Sequence, residues 1–233
     1  MLFRTSHEIR LAFEQLRWLE RRRQSIIDCT AAHFGRDKIR AALPPEDRKI
    51  ALPDHVELED LLVDSTPEEC IRALARKLDA LESRTVARLM SRVSEWESHV
   101  EEQIFFGARL AGQEAARWSI EHSHCVSTHR PAFLAEVVQV VNALTWSGLE
   151  SEKNNFLSIR PLSDATMHFV RSPHMAAWKE GGAEPLLMAR VKNSWVRGIL
   201  DILGGGIEYN QTHYLESGAP FGLEEFRIRP HAE

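Results

Sequence analysis

Apolar residues recur at helical spacing along most of the chain. Between residues 6 and 34, Ile9, Phe13, Leu16, Leu19 and Ile27 alternate with charged positions and predict one helix. Arg17, Arg21, Arg22 and Arg23 cluster on it, and with Glu14 and Glu20 among them the cluster reads as a solvated face. From Ala42 to Thr66 the period breaks at Pro44, Pro45 and Pro53, which predicts a linker with at most a short helical turn. Thr66-Pro67-Glu68-Glu69 then supplies a capping hydroxyl, a proline at the first helical position and a glutamate three residues after the cap. A helix is expected from there to about Leu81. A second is expected from Ser83 to at least Ser119, with Val86, Met90, Val93, Val100, Ile104, Ala111, Ala115 and Trp118 on one face. Gly107 and Gly112 sit among alanines in its second half. Each glycine costs about 1 kcal/mol in a helix interior, so close packing against another element is the expected reason for them.

The pattern changes after His129. Pro131 opens a helix from Phe133 to Leu144, and Phe156–Arg160 and Thr166–Arg171 alternate like two strands of a hairpin. Ser172-Pro173 starts a short helix through Trp178, and Leu186–Leu203 is a further helix ended by Gly204-Gly205-Gly206. Ile207–Tyr214 and Leu223–Ile228 read as two more strands. The order predicts an α+β fold of long helices packed on an antiparallel sheet of about four strands. Residues 1–82 are expected to be a helical N-terminal extension with a proline-containing linker, and 83–233 an α+β small-molecule-binding domain.

Composition narrows the function classes. The chain has 233 residues, 43% hydrophobic and 27% charged, with 29 Lys+Arg against 34 Asp+Glu for a formal charge of −5. That balance argues against a general nucleic-acid binder. No apolar run approaches the ~20 residues that span a bilayer, and the charged start MLFRTSHEIRLAFEQLRW lacks the apolar core of a secretory signal. Cys29, Cys70 and Cys125 are odd in number and far apart, which suits a reducing compartment. A cytoplasmic protein is expected.

Three segments carry candidate chemistry. In Glu121-His122-Ser123-His124-Cys125-Val126-Ser127-Thr128-His129, the helical projection puts His122 at the centre of the apolar stripe and Cys125 at its edge. Such a pair serves as base and thiol nucleophile or as soft metal ligands; the alternative is a hydrogen-bonded core histidine and an inert cysteine. The weaker metal set is His122, His124, Cys125 and His129, and the spacing identifies no complete zinc site. Glu95, His99 and Glu102 share a helix face and Glu121-x-x-His124 has di-iron spacing, yet Glu95, His99 and Glu102 project away from the stripe. In the third segment His168 shares a sheet face with Val170, Arg171 is placed to hold a carboxylate, and His174 and Trp178 share one side of a short helix. These residues, with Trp118, are the expected substrate-binding set; the alternative is aromatic packing with an arginine at its rim. Gly204–Gly206 ends a helix and lacks the following Lys-Ser/Thr, so it is not a phosphate loop.

FFGARLAGQEAARW resembles the small-residue helix of the bacteriochlorophyll 4-vinyl-reductase-like (4VR) ligand-binding domains. WVRGILDILGGGIEYNQTHYLESGAPFGLEEFRI resembles their closing helix-strand-turn-strand unit. Within that group HFVRSPHMAAWKEGGAEPLL is most similar in layout to the L-2-amino-thiazoline-4-carboxylic acid hydrolases. The resemblance covers a little over half the chain. It implies long helices against an antiparallel sheet, often a homodimer, with a pocket between helix and sheet for a small organic ligand. Ser172 stands where those hydrolases tend to have Cys, and Tyr214 and Glu224-Glu225 where related domains carry Cys, so a cysteine-built site is not implied.

The leading expectation is therefore a hydrolase or lyase, acting on C–N bonds of a compact carboxylated or heteroaromatic substrate. Cys125 or a water would be its nucleophile, His122 its base and Arg171 its anchor, with no cofactor identified. The alternatives are a non-catalytic ligand-binding or sensing domain, or a metal-dependent enzyme built on the His122–His129 cluster.

Overall fold

Helix α1 (His7–Phe34) begins where the Ser6 side chain accepts the Ile9 amide at 3.3 Å, and stops at Gly35, whose φ of 96° is open to glycine. The computed structural model describes residues 6–62, 65–93, 99–122, 134–146, 148–149, 155–160, 164–169, 174–204, 206–214 and 221–228. A short helix α2 (Arg36–Ala42) follows, and the segment from Ala42 to Thr66, expected to be a linker with at most a short helical turn, holds two four-residue helices, α3 (Pro45–Arg48) and α4 (Leu58–Leu61). Leu43, Leu52 and Leu58 are buried and tie it down. Each short stretch contributes one anchor, so the segment displays no period.

Helix α5 (Pro67–Val93) opens on the expected capping box: Glu69 N donates to Thr66 Oγ1 at 3.3 Å, and Thr66 N donates to the Glu69 carboxylate at 3.0 Å. It runs unbroken through 81–83, where two helices were expected to meet. Ser83, read as a helix start, is an interior hydroxyl that donates to the Trp178 carbonyl at 2.6 Å and accepts from the Ala183 amide at 3.1 Å. The single helix expected over 83–119 is described as the end of α5 and a separate α6 (Val100–Glu121).

The remaining elements are α7 (Leu134–Leu144), β1 (Asn155–Arg160), β2 (Asp164–Phe169), α8 (Met175–Gly181), α9 (Pro185–Leu203), β3 (Ile207–Tyr214) and β4 (Phe221–Ile228). The strands pair antiparallel in the order β1-β2-β4-β3, so α8, α9 and β3 intervene between the neighbours β2 and β4. The register sets His168 opposite Phe156 and Leu223, and Gln211 opposite Glu224. The class is α+β, with helices taking most of the chain.

Small residues determine how the helices cross. A Cβ on Gly198 would lie 2.0 Å from the Arg109 carbonyl oxygen, and one on Gly112 would lie 2.2 Å from the Trp195 carbonyl oxygen. The backbones of α6 and α9 therefore touch. Around this crossing Trp18, Ala115, Val141, Trp195, Ile199 and Phe226 form one apolar cluster, so α1 shares a core with α9 and β4. A bidentate Arg109–Asp201 pair, at 2.6 and 2.7 Å, clips the same two helices at the surface. Among the described residues no helix is long and apolar enough to cross a membrane.

Gly198→Ala is expected to destabilise the fold by about 3 kcal/mol, because the atom it strikes belongs to backbone; denaturant titration measures this. The Arg109 hydrogen bond, then the Gln113 bond and the Arg109 charge, hold Asp201 below the ordinary carboxylate value against its partial burial. A lowered folded value stabilises above the unfolded value, and that contribution is lost as pH falls through the folded one. Asp201→Asn is thus expected to cost up to about 1 kcal/mol at neutral pH and nothing in strong acid, read from paired unfolding curves across pH.

Candidate functional site

Several charged side chains sit on the apolar stripes of the helices. In α1, Arg22 lies four residues after Trp18 and four before Ile26, and all three are buried. In α5, Ala75, Asp79, Glu82 and Val86 share one face, and in α9 Lys192 lies between Met188 and Trp195. Helical spacing carries these groups inward together with their apolar neighbours. A charge moved inward costs several kcal/mol unless it is paired, and each of these has a partner from a distant segment.

Arg22 and Glu82 form a bidentate pair at 2.7 and 2.6 Å. Desolvation pushes the Arg22 guanidinium down, but the Glu82 charge, its hydrogen bond and Asp79 outweigh it and leave Arg22 above its ordinary value. Asp79 also accepts from His174 Nδ1, at 3.0 and 2.9 Å to its two oxygens, and His174 Nε2 lies 3.0 Å from the Trp146 carbonyl. The carboxylate accepts, so Nδ1 is the donor to Asp79. Lys192 Nζ donates to Glu224 Oε1 at 2.8 Å, and Gln211 Nε2 donates to the same oxygen at 3.3 Å. The Tyr209 hydroxyl lies beside Glu224; burial first, then the Glu224 charge, push it well above its ordinary value, so it stays neutral.

Three of these groups reach one interior cavity. Arg22, His174 and Lys192 line it with Gln15, Thr145, Trp146, Trp178 and Trp195, all buried, and it has room for roughly one water molecule. Most of its wall is already hydrogen-bonded. Gln15 Nε2 donates to the Asn142 carbonyl at 2.7 Å, Trp195 Nε1 donates to Thr145 Oγ1 at 3.2 Å, and the His174 ring stacks on Trp178 with centroids 5.1 Å apart. Trp178 Nε1 differs: it is buried and has no hydrogen-bond partner among the described residues. A buried N–H left in that state is costly and calls for an acceptor.

The residues expected to form one site fall in different places. His174 and Trp178 line the cavity. His122 is the exposed end of α6, its Nδ1 2.9 Å from the Trp118 carbonyl and its ring stacked on Trp118 at 4.6 Å. It leaves the apolar line because the helix ends at Glu121. Trp118 borders a separate open groove of about 650 Å³ between α1 and α6, with Trp18, Arg21 and Arg117. His168 is on β2, and nothing is described of its side chain. Arg171, His124, Cys125 and His129 lie outside the described residues, as does Glu95. His99 and Glu102 form an exposed pair at 3.0 Å. Among the described residues no three His, Cys, Asp or Glu side chains converge as a metal site would require. Burial pushes the Cys29 and Cys70 thiols up, which disfavours thiolate at neutral pH.

The sequence reading missed Arg22, Asp79, Glu82, Lys192 and Glu224. Arg22 and Arg23 were expected on a solvated face, yet both are buried, and Arg23 holds Glu20 at 3.0 and 2.6 Å. The available signal was a charge recurring within an apolar stripe, clearest at Lys192 between Met188, Trp195 and Ile199.

No family model matches the chain, and no curated protein does. Two solved structures similar to it are H-NOX proteins. A point mutant of T. Tengcongensis H-NOX is 9% identical over 90% of this chain and 96% of that one, with a TM-score of 0.38. A Cs H-NOX mutant carrying the unnatural amino acid 4-cyano-L-phenylalanine is 9% identical over 88% and 94%, with a TM-score of 0.37. Neither comparison supports the expected kinship with 4VR-like domains or amino-thiazoline carboxylate hydrolases, and the solved structures found are of another kind. That resemblance is corrected, and the hydrolase or lyase activity read from it falls with it.

If the buried pairs hold the fold as argued, Glu82→Ala costs about 3–5 kcal/mol, since it strands the Arg22 charge. The double replacement Arg22→Met with Glu82→Leu recovers most of that loss, and denaturant midpoints of the three proteins measure it.

Proposed function

We propose that this chain is a non-catalytic small-ligand-binding domain, of the kind used for sensing, whose site is the cavity among α1, α8, α9 and the end of α7. The observation that carries the reading is the Trp178 N–H, buried and without a hydrogen-bond partner among the described residues of a cavity wall otherwise bonded. An occupant with one acceptor atom would complete that wall. Three tryptophans supply the flat apolar surface typical of small-molecule sites. The cavity's small size suits a compact occupant. The charges favour binding over turnover: Arg22, His174 and Lys192 are each engaged by a carboxylate. No hydroxyl or thiol among the described lining residues is hydrogen-bonded to a base in the manner of an activated nucleophile. A homodimer and a reducing compartment accompany this reading as proposals, as does the division into residues 1–82 and 83–233.

Methanol, two heavy atoms with an oxygen that accepts a single N–H, is the probe matched to a space of about one water molecule. It is expected to raise the unfolding temperature saturably and to change tryptophan fluorescence. The Trp178→Phe protein keeps an aromatic ring and loses the donor, so its affinity is expected to fall about fivefold, the value of one hydrogen bond. Equal responses from the two proteins, or none from either, would overturn the reading.

A further inference from the structure

Strand β3 is an outer strand: in the order β1-β2-β4-β3 it pairs with β4 alone among the described residues. An antiparallel strand with one neighbour uses alternate backbone N–H and C=O groups in that pairing and leaves the others facing outward. A groove of about 410 Å³ is lined by the four consecutive residues Ile207 to Asn210 of this strand. Successive side chains on a strand point to opposite faces, and here Tyr209 is buried while Glu208 and Asn210 are exposed. One groove borders all four when it follows the edge of the strand, where the backbone is within reach. The opposite wall is helical. Arg197 and Asp201, four apart on α9, stand in it with Arg109 of α6.

The charges of this groove are unevenly committed. Arg109 and Asp201 hold each other in the bidentate pair, and Glu208 also has a partner. Arg197 is exposed and forms no ion pair among the described residues; its charge acts on Asp201 only at longer range.

From this arrangement we infer that the groove binds an acidic peptide segment in extended conformation, which adds a strand to the sheet at β3 and sets a carboxylate side chain against Arg197. Main-chain hydrogen bonds to the outer edge supply the affinity, and the one uncommitted charge selects the sequence. Four residues at about 3.3 Å each span about 13 Å, so the site takes about that many residues of peptide. A single strand fits between the edge and the helical wall, whereas a second copy pairing through its own β3 would bring a second helical wall into the same groove. The groove shares no lining residue with the cavity at Trp178, so the inference stands apart from the ligand-binding reading above.

The probe is a pentapeptide of threonine and valine with a central glutamate, acetylated and amidated so that this carboxylate is its one charge. It is titrated into the full chain by calorimetry, and backbone amide exchange is followed along β3. Saturable binding is expected, with slowed exchange in β3. Arg197→Gln is expected to weaken binding about fivefold, the upper value of an exposed ion pair, and a central glutamine in the peptide is expected to do the same. Combining the two changes costs no more than either alone. Methylating alternate nitrogens of the peptide abolishes binding, because strand pairing needs those N–H groups. No binding, binding without protection of β3, or equal binding by Arg197→Gln would overturn the inference. So would β3 protection that rises with protein concentration in the absence of peptide, which would assign the edge to a second copy.

Discussion

Burying a charge is tolerable only when an opposite charge arrives with it, and in this protein the partners come from distant parts of the chain. Arg22 on α1 requires Glu82 on α5, Asp79 on α5 requires His174 at the start of α8, and Lys192 on α9 requires Glu224 on β4. Each pairing is satisfied in one arrangement of its two elements. A slip of α5 by one residue would turn Asp79 and Glu82 away by about 100° and take them from His174 and Arg22. Apolar packing favours compactness in general, whereas these pairs select one register among the compact alternatives. Ion pairs of this kind are not a large source of net stability; their effect is to penalise other packings.

The same constraint explains where the cavity lies. Guanidinium, imidazole and ammonium groups need carboxylates at hydrogen-bond distance and cannot also fill space as leucines do. Where Arg22, His174 and Lys192 converge with three indoles, rigid planar groups meet at fixed angles and leave a gap. Of the lining side chains, Trp178 carries a buried N–H with no partner among the described residues. The wall therefore favours an acceptor, and the site's polarity follows from the side chains that build it. The glycine crossing of α6 and α9 contributes from the other side. With backbones in contact at Gly112 and Gly198, Trp195 is held at the crossing, where it reaches both Thr145 and Trp18.

Local order is far more legible in this chain than long-range pairing. The Thr66 capping box, the short helix that carries Trp178, and β3 from Ile207 to Tyr214 follow from spacing alone. These features depend on neighbours within a few residues, which a sequence displays directly. Ser83 misleads because a serine before a helical run and a serine inside one look alike; the distinction is the Trp178 carbonyl, 95 positions away. The basic run at Arg21–Arg23 misleads for the same reason. Arg21 faces Asp54 at the surface while Arg22 turns inward to Glu82, and adjacent letters give no sign of the difference. Reading by stripe rather than by run separates them, since Trp18, Arg22 and Ile26 share a line that Arg21 leaves.

The candidate site is half legible on the same grounds. His174 and Trp178 stand four apart on one helix, so their shared side follows from local geometry, and they do stack. His122 projects into the core only if α6 is extended beyond the point where it ends, and a projection holds only as far as its helix does. Lys192 escapes notice because a lysine in a helix is expected to reach solvent by its long stem. That default fails when a carboxylate waits inside: Glu224 sits on β4, opposite Gln211 on β3 and facing α9, and supplies in the interior what water supplies outside. The general lesson concerns charge within an apolar period. Such a residue marks a long-range partner of opposite sign, and the place where several of them converge is where polar chemistry has been built into the core.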